Sequence, residues 1–360
     1  MTLSGRKRIA VGLSGGVDSS VAAVVLKEEG HEVLAVSMKI WDGRPLPGGG
    51  GRHGCYGPEE PDDLRDAEDV ARKLGIPFHV VDLSAEFNAR ILEMVSREYQ
   101  EGRTPNPCIH CNRWLKFDLL PAALRKEGLA FDAFATGHYV RTEYDGASGR
   151  HVLWKGIDRG KDQSYFLYQL TQEHLAAAVF PLGTRTKAEI RAKAAHLDLP
   201  VAEKAESQEF IAGGIAEIFG GVSRPGPIVN RSGEVLGEHA GIHLFTVGQR
   251  KGLGISGAEP LYVTKVDPKN QSVIVGTEKD LYSSELSASS VNWVSIGRPN
   301  GPLRAAARIR YRHPESPAVI TPMENGSVHV KFDEPQRAVT PGQAVVFYDG
   351  DRVLGGGIID

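Results

Sequence analysis

The 360-residue chain is poor in cysteine, has no long apolar run and carries almost no net charge. Three cysteines cannot build a disulfide framework, which points to reduced thiols and a cytoplasmic chain. No run approaches the ~20 apolar residues that span a bilayer, so a membrane is not expected as a partner. Met1 to Arg8 is polar and basic and leads straight into a strand, without the apolar stretch of a signal peptide. Lys and Arg number 42 against 45 Asp and Glu, a formal charge of −3. No global field therefore favours nucleic acid: DNA is not expected, and any RNA contact must come from a local basic patch. Internal repeats and charged low-complexity tracts are also absent. Apolar residues make up 41% of the chain, enough for real cores, and the length predicts two or three domains.

What is present begins with Ser14-Gly15-Gly16-Val17-Asp18-Ser19-Ser20. An apolar run, Ile9 to Leu13, precedes it, and Val17, Val21, Val24 and Val25 follow at helical spacing. The pattern predicts strand, tight glycine turn, helix. Such a turn aims the first free N–H groups of the helix, and the positive end of its dipole, at a phosphate. The two glycines permit close backbone approach. Ser14 and Ser19 can add hydroxyl donors, and Asp18 is a candidate magnesium ligand. A Walker loop would carry a lysine before its Ser or Thr, and none is here. The turn resembles the SGGxDS loop of the N-type ATP pyrophosphatases, which release pyrophosphate and activate a substrate as its adenylate.

Strand-like and helix-like segments alternate over the first 200 residues. Val33 to Ile40, Phe78 to Leu83 and Phe131 to Val140 read as strands. Leu64, Ala67, Val70, Ala71 and Leu74 read as a helix closed by Gly75, and Phe87, Ile91, Met94 and Val95 as a further helical face. Gly43 to Pro61 reads as a mobile loop. The alternation predicts an α/β fold with a doubly wound, Rossmann-like parallel sheet, binding its ligands at the carboxyl ends of the strands. After about residue 205 short Gly- and Pro-punctuated segments take over. Val328, Val330 and Phe332 then alternate with His329, Lys331 and Asp333. The expected units are 1–205, the nucleotide-binding domain; 206–283, a small β-rich central domain; and 284–360, an antiparallel β-barrel.

Gly102-Arg103-Thr104-Pro105-Asn106-Pro107-Cys108-Ile109-His110-Cys111-Asn112 is the second informative stretch. Two prolines predict an extended loop, with Cys111 opening the helix through Trp114, Leu115 and Phe117. A helix N-terminus, with Arg113 and Lys116 nearby, predicts a lowered thiol pKa. On spacing alone Cys108 and Cys111 fit a redox pair, a zinc half-site or part of an iron–sulfur site.

Together with ATGHY at 135–139, KDQSYFLY at 161–168, FTVGQRKGLG at 245–254 and TPGQAVVFY at 340–348, this stretch resembles tRNA-specific 2-thiouridylase. The motifs fall in that family's order and cover nearly the whole chain. The resemblance implies ATP-dependent replacement of O2 of a tRNA wobble uridine by sulfur, supplied through a protein persulfide donor. By resemblance Gly12, Leu13, Ser14, Gly15, Gly16, Val17, Asp18, Ser19, Met38 and Gly137 hold ATP. Asn106, Pro107 and Cys108 border the target base, and Cys111 is the nucleophile. His138, Lys161, Asp162, Gln163, Arg310, Tyr311 and Gln343 touch tRNA. Several have a plainer reading: Met38 as strand core, His138 as partner of a strand-end backbone group, Tyr165 to Tyr168 as core. Arg308, Arg310 and Arg312 share one strand face, either solvated or tracking phosphates.

The family usually carries a second cysteine shortly after Ser-Gln-(Asp/Glu). The matching segment, Ser207-Gln208-Glu209-Phe210-Ile211-Ala212-Gly213, has none. Two repairs are open. Cys108 and Cys111 cycle between dithiol, persulfide and disulfide, or Cys55, Cys108 and Cys111 hold a [4Fe-4S] cluster whose fourth iron carries hydrosulfide.

Overall fold

Runs of Val, Ile, Leu and Ala uninterrupted by charge are suited to strands covered on both faces, and here they form one parallel sheet. The computed structural model describes residues 5–46, 54–205, 209–219, 224–257 and 259–360. The sheet runs, in spatial order, Phe78–Asp82, Glu32–Lys39, Arg8–Gly12, Ala133–Ala135 and Ala178–Val179. All four pairings are parallel. Separate clusters of buried apolar side chains cover its two faces, one around Val11, Val21 and Val70, the other around Leu34, Phe117 and Phe134. The chain moves outward in opposite directions from Arg8–Gly12, so the strand order switches between that strand and Ala133–Ala135. The loops leaving these two strands, 13–16 and 136–139, flank the crevice where open α/β sheets bind ligands.

Helix Val17–Glu28 is buried over most of its surface and packs beside helix Lys187–His196, with Ile190 and Ala194 in the same core. Helix Glu60–Leu74 ends on left-handed Gly75, as its spacing predicts. The strand-like stretch 131–140 shortens to Ala133–Ala135, because the chain turns at 136–139 to form the crevice edge.

Four strands form the central unit: Val235–His239, Gly226–Asn230, Ser272–Gly276 and Tyr262–Asp267. The terminal unit closes into an antiparallel barrel when Tyr282–Asn292 pairs with both Val328–Arg337 and Arg352–Ile359. Its alternation is real: Val328, Val330 and Phe332 are buried inside. One feature crosses the expected boundaries. The hairpin Val140–Asp145 and Arg150–Lys155 joins the barrel sheet through Trp154 and Leu153, opposite Arg352 and Val353. The second core of the parallel sheet accordingly runs on into Ala344, Val346 and Tyr348 of the barrel. Among the described residues no helix is long and apolar enough to cross a membrane.

The segment read as a loop, 43–61, holds a short strand, Gly54–Tyr56, and the first residues of helix Glu60–Leu74. Residues 47–53 of it lie outside the described residues, as do Ser207 and Gln208. Gly54–Tyr56 pairs in parallel with Glu209–Ile211, Gly54 opposite Glu209 and Tyr56 opposite Ile211. The strand that lacks the expected cysteine therefore lies directly beside one that carries Cys55.

Candidate active site

The glycine turn folds as strand, turn and helix, and its serines close it on itself. The Ser19 hydroxyl accepts from the Ser14 N–H at 3.1 Å and donates to the Gly16 carbonyl at 3.2 Å. Leu13 N–H donates to Val36 O at 2.8 Å, tying the turn to the neighbouring strand. Gly16 precedes the helix with no side-chain cap, leaving first-turn N–H groups for a ligand. Gly15 has φ +68°, and a side chain there would run into the Asp63 carbonyl. A Cβ on Gly137 would lie 2.7 Å from the Ser19 nitrogen, so only glycine lets the second crevice loop touch the first. Met38 is half-buried against both the sheet core and a further cluster around Tyr56, Phe87 and Leu115, on which Cys111 also packs, consistent with its plainer reading as packing.

Asp18 does not point freely at the crevice. Its two oxygens accept from Lys187 Nζ at 2.7 and 2.8 Å, and Oδ1 also accepts from the Tyr139 hydroxyl at 2.7 Å. A magnesium ion at Asp18 has to compete with that lysine. Lys187 went unnoticed in the sequence, although Thr186-Lys187-Ala188-Glu189 is a recognisable capping box.

The cysteine stretch differs from expectation at its helix start. Asn106 is the N-cap and Pro107 the first helical residue, so Cys108 lies in the first turn and Cys111 one turn further on. Proline is suited to the first helical position because its missing N–H is not needed there. From Cys111 to Leu119 the helix widens into a π-type turn, a form frequent at functional sites.

The thiols are also less acidic than expected. Burial pushes Cys108 up to about 12, with Cys55 and Cys111 adding to the rise and Lys116 opposing it. Burial likewise pushes Cys111 up to about 11, against Lys116. Loss of bulk water raises Cys55 too, although part of that residue reaches solvent. Removal from water outweighs the helix end. The cation acting on the thiols is Lys116; Arg113 turns toward Asp118 and His174 instead. Lys116 also acts on His138, whose pKa burial lowers to about 3. His138 Nδ1 is 2.8 Å from the Thr136 hydroxyl, and the ring faces Phe117 and Phe180.

Two links join the thiols to the glycine turn. Asp63, whose backbone abuts Gly15, is close enough to raise Cys55. Lys116, which acts on all three thiols, also acts on His138, next to Gly137.

The other two units hold the cysteine segment in place. Thr104 N–H donates to Pro341 O at 2.8 Å, Gln343 Nε2 donates to Thr104 O at 2.7 Å, and the Thr104 and Thr246 hydroxyls meet at 3.1 Å. Arg103 bonds Glu98 at 2.7 Å and Ile359 O at 3.0 Å. Gln343 is thus a strut in this arrangement. Asp162, buried, accepts from Gly156 N–H and from the Ser164 N–H and hydroxyl, and Gln163 Oε1 accepts from Tyr139 N–H at 3.0 Å. Lys161 is half-buried in the same turn. Tyr311 packs 4.5 Å from Phe166, extending the aromatic core around Tyr165. The arginine face is not a free phosphate track. Arg308 pairs with Glu315 at 2.6 Å, and Arg310 donates to Ala338 O, to Thr340 Oγ1 at 2.6 Å and to Val247 O. Arg312 alone of the three is exposed.

Comparison with known proteins matches this layout. Residues 7–212 fit the family model described as tRNA methyl transferase HUP domain, 217–277 the tRNA methyl transferase PRC-barrel domain and 283–359 the aminomethyltransferase beta-barrel domain. The chain is 50% identical over 364 residues to the tRNA-specific 2-thiouridylase MnmA of Geotalea uraniireducens (strain Rf4), covering 99% of this chain and 95% of that one. It is 48% identical over 355 residues to the protein of the same name from Endomicrobium trichonymphae, covering 98% of each. Among solved structures, a 4-thiouridine synthetase–RNA complex with bound ATP aligns at 18% identity and TM-score 0.33, over 56% of this chain and 44% of that chain. That last likeness is too low to carry any argument.

Proposed function

This chain belongs to the tRNA-specific 2-thiouridylase family, and from that premise we propose how its residues divide the work of a tRNA sulfurtransferase. ATP lies on the glycine turn, and the wobble uridine enters beside Asn106, Pro107 and Cys108. Cys111 carries the transferable sulfur and Cys108 resolves the product. The observation that carries this reading is that the helix of Cys111 packs on the second crevice loop, Phe117 against His138, while Gly137 of that loop touches the glycine turn at Ser19.

Uridine O2 attacks the α-phosphorus, pyrophosphate leaves, and C2 becomes electrophilic. A protein persulfide donor has meanwhile loaded Cys111. The terminal sulfur of that persulfide attacks C2, the C2–O2 bond breaks, and AMP departs with the oxygen. The Cys108 thiolate then attacks Cys111 Sγ. The S–S bond breaks toward the nucleoside, releasing 2-thiouridine and leaving a Cys108–Cys111 disulfide for a cellular thiol to reduce. The target base must leave the anticodon stack to reach this site. Magnesium on the phosphates would offset their charge, and Asp18 is the carboxylate at hand once Lys187 releases it.

The alternative to the thiol cycle is a [4Fe-4S] cluster held by Cys55, Cys108 and Cys111. Among the described residues no three His, Cys, Asp or Glu side chains are gathered as a metal-ligand set. The residues as arranged do not fit that group.

The test is thiolation of unmodified substrate tRNA with ATP, magnesium and a persulfide-charged donor protein, with sulfide alone in a parallel reaction, scored by nucleoside mass spectrometry. Wild type is compared with Cys55→Ser, Cys108→Ser and Cys111→Ser, beside iron and acid-labile sulfide analysis of anaerobically purified protein. Loss of activity in the Cys108 and Cys111 variants alone supports the thiol cycle. Loss in all three together with stoichiometric iron replaces it with the cluster. A wild type that binds tRNA and nucleotide but never thiolates is a nucleotide-sensing tRNA-binding protein instead.

A further inference from the structure

The glycine turn has no lysine of its own, yet a lysine stands over it from another element. Lys187 is the first residue of helix Lys187–His196, which packs along the helix that the turn begins. Its backbone is fixed twice. Its N–H donates to Asp158 Oδ2 at 2.9 Å, and the Thr186–Glu189 capping box sets the helix start. Its side chain is only 11% exposed and ends on both oxygens of Asp18, the second residue of the glycine-turn helix. Asp18 is 30% exposed on its side chain, so the pair meets solvent on the carboxylate side. The other lysine beside the turn, Lys204, bridges two carboxylates, Asp63 and Asp66.

We propose that Lys187 is the cation for the β- and γ-phosphates of ATP, held in register by Asp18 and Tyr139 until phosphate oxygens replace the carboxylate. This rests on the ATP reading of the turn and assigns a residue to it. A triphosphate seated on the first-turn N–H groups brings its oxygens toward Asp18, and like charges repel unless a cation stands between them. Lys187 is the cation within bonding distance of that carboxylate. Asp18, once released by the lysine, would be the carboxylate available to the magnesium of the nucleotide. The arrangement performs the task of a Walker lysine from a separate helix, which explains how a glycine turn without one can hold phosphates.

The test compares MgATP with AMP, which lacks the phosphates in question, by calorimetric titration of the full-length protein. A charge-assisted hydrogen bond is worth enough that Lys187→Met should weaken ATP binding by at least about tenfold while shifting AMP by less than about threefold. Lys187→Arg should keep most of the preference for ATP over AMP, and Lys204→Met all of it. Equal losses for ATP and AMP would make Lys187 a structural strut, and unchanged ATP affinity would remove it from the site; either result overturns the proposal. If Lys187→Met does not fold, Lys187→Gln, which keeps hydrogen bonding to Asp18 without the charge, is read in the same way. Wild-type protein that binds ATP but leaves tRNA unthiolated fails the functional reading and leaves Lys187 standing. Wild-type protein with no ATP affinity fails both.

Discussion

The backbone of the glycine turn at 14–20 is closed by bonds among its own residues, whereas Thr104 of the cysteine segment at 102–112 is clasped by residues more than a hundred positions away. In the turn, the bonds that set the shape join Ser14, Gly16 and Ser19. In the cysteine segment, Thr104 is fixed by Thr246 of the central unit and by Pro341 and Gln343 of the barrel. The electrostatics divide in the same way. The phosphate-facing character of the turn comes from a local helix start, but the thiol pKa values come from how much protein is packed around them. On the proposed reading, phosphate binding is expected to survive damage to the outlying units, and sulfur transfer is not.

The largest separation of the two regions is expected from Cys111→Ser, which should abolish 2-thiolation and leave ATP affinity unchanged. Mass spectrometry of tRNA nucleosides and a nucleotide titration on the same preparation check both halves. Equal loss of nucleotide binding would tie the two regions together and make Cys111 structural. Next comes thiol reactivity. With Cys111 held near 11 rather than the ordinary 9.0, its thiolate fraction at pH 8 is roughly a hundredfold below that of an open thiol. Iodoacetamide labelling of Cys111 should be slow at pH 8 and climb steadily through pH 10. A labelling rate that levels off below pH 8 would restore the acidic thiol that the helix start suggested.

The difference between helix start and packing at Cys111 marks where sequence reading stops. The strand–turn–helix shape at 8–28 was legible because strand, glycines and helix are contiguous. Helix 60–74 was legible because Gly75 punctuates it, and the barrel because Val328, Val330 and Phe332 alternate. Pro107 was misread as loop because a proline before a helix and one at its first position look alike without coordinates. The strand Gly54–Tyr56 gave no signal, since three residues become a strand only when Glu209–Ile211 lies beside them. The hairpin 140–155 was assigned with the segments before it, although its sheet partner is the barrel. The packing of protein around Cys108 and Cys111, the pairing of Lys187 with Asp18 and the clasp on Thr104 are all tertiary facts. Local propensity has no access to them.

The clasp itself supplies a smaller effect. The double variant Thr104→Val with Gln343→Ala removes the Thr246 contact and the Gln343 bond while leaving every atom of the glycine turn in place. Misplacing a reacting group slightly is expected to lower the single-turnover thiolation rate by about tenfold, with ATP affinity unchanged. A parallel fall in ATP affinity would mean that the barrel also shapes the turn, and the contrast between the regions would fail.

Arg310 offers the finest discrimination, because two readings of it predict different observables. As a phosphate contact, its loss would flatten the salt dependence of tRNA binding by about one charge. In the structure its guanidinium is spent on Ala338 O, Thr340 Oγ1 and Val247 O, and burial lowers its pKa. Arg310→Ala would take the donor from Thr340 Oγ1 and Val247 O and leave Ala338 O only the Thr340 hydroxyl, a cost of about 1–3 kcal/mol. The expected outcome is a midpoint of thermal unfolding lowered by several degrees, with the slope of tRNA affinity against salt unchanged. Arg312, exposed on the same segment, is the internal control: Arg312→Ala should leave the unfolding midpoint where it is. If Arg310→Ala instead changes the slope and spares the midpoint, the guanidinium must exchange its protein acceptors for phosphate when tRNA docks. The junction between the central unit and the barrel would then open on binding, and the rigid clasp inferred for Thr104 would have to open with it.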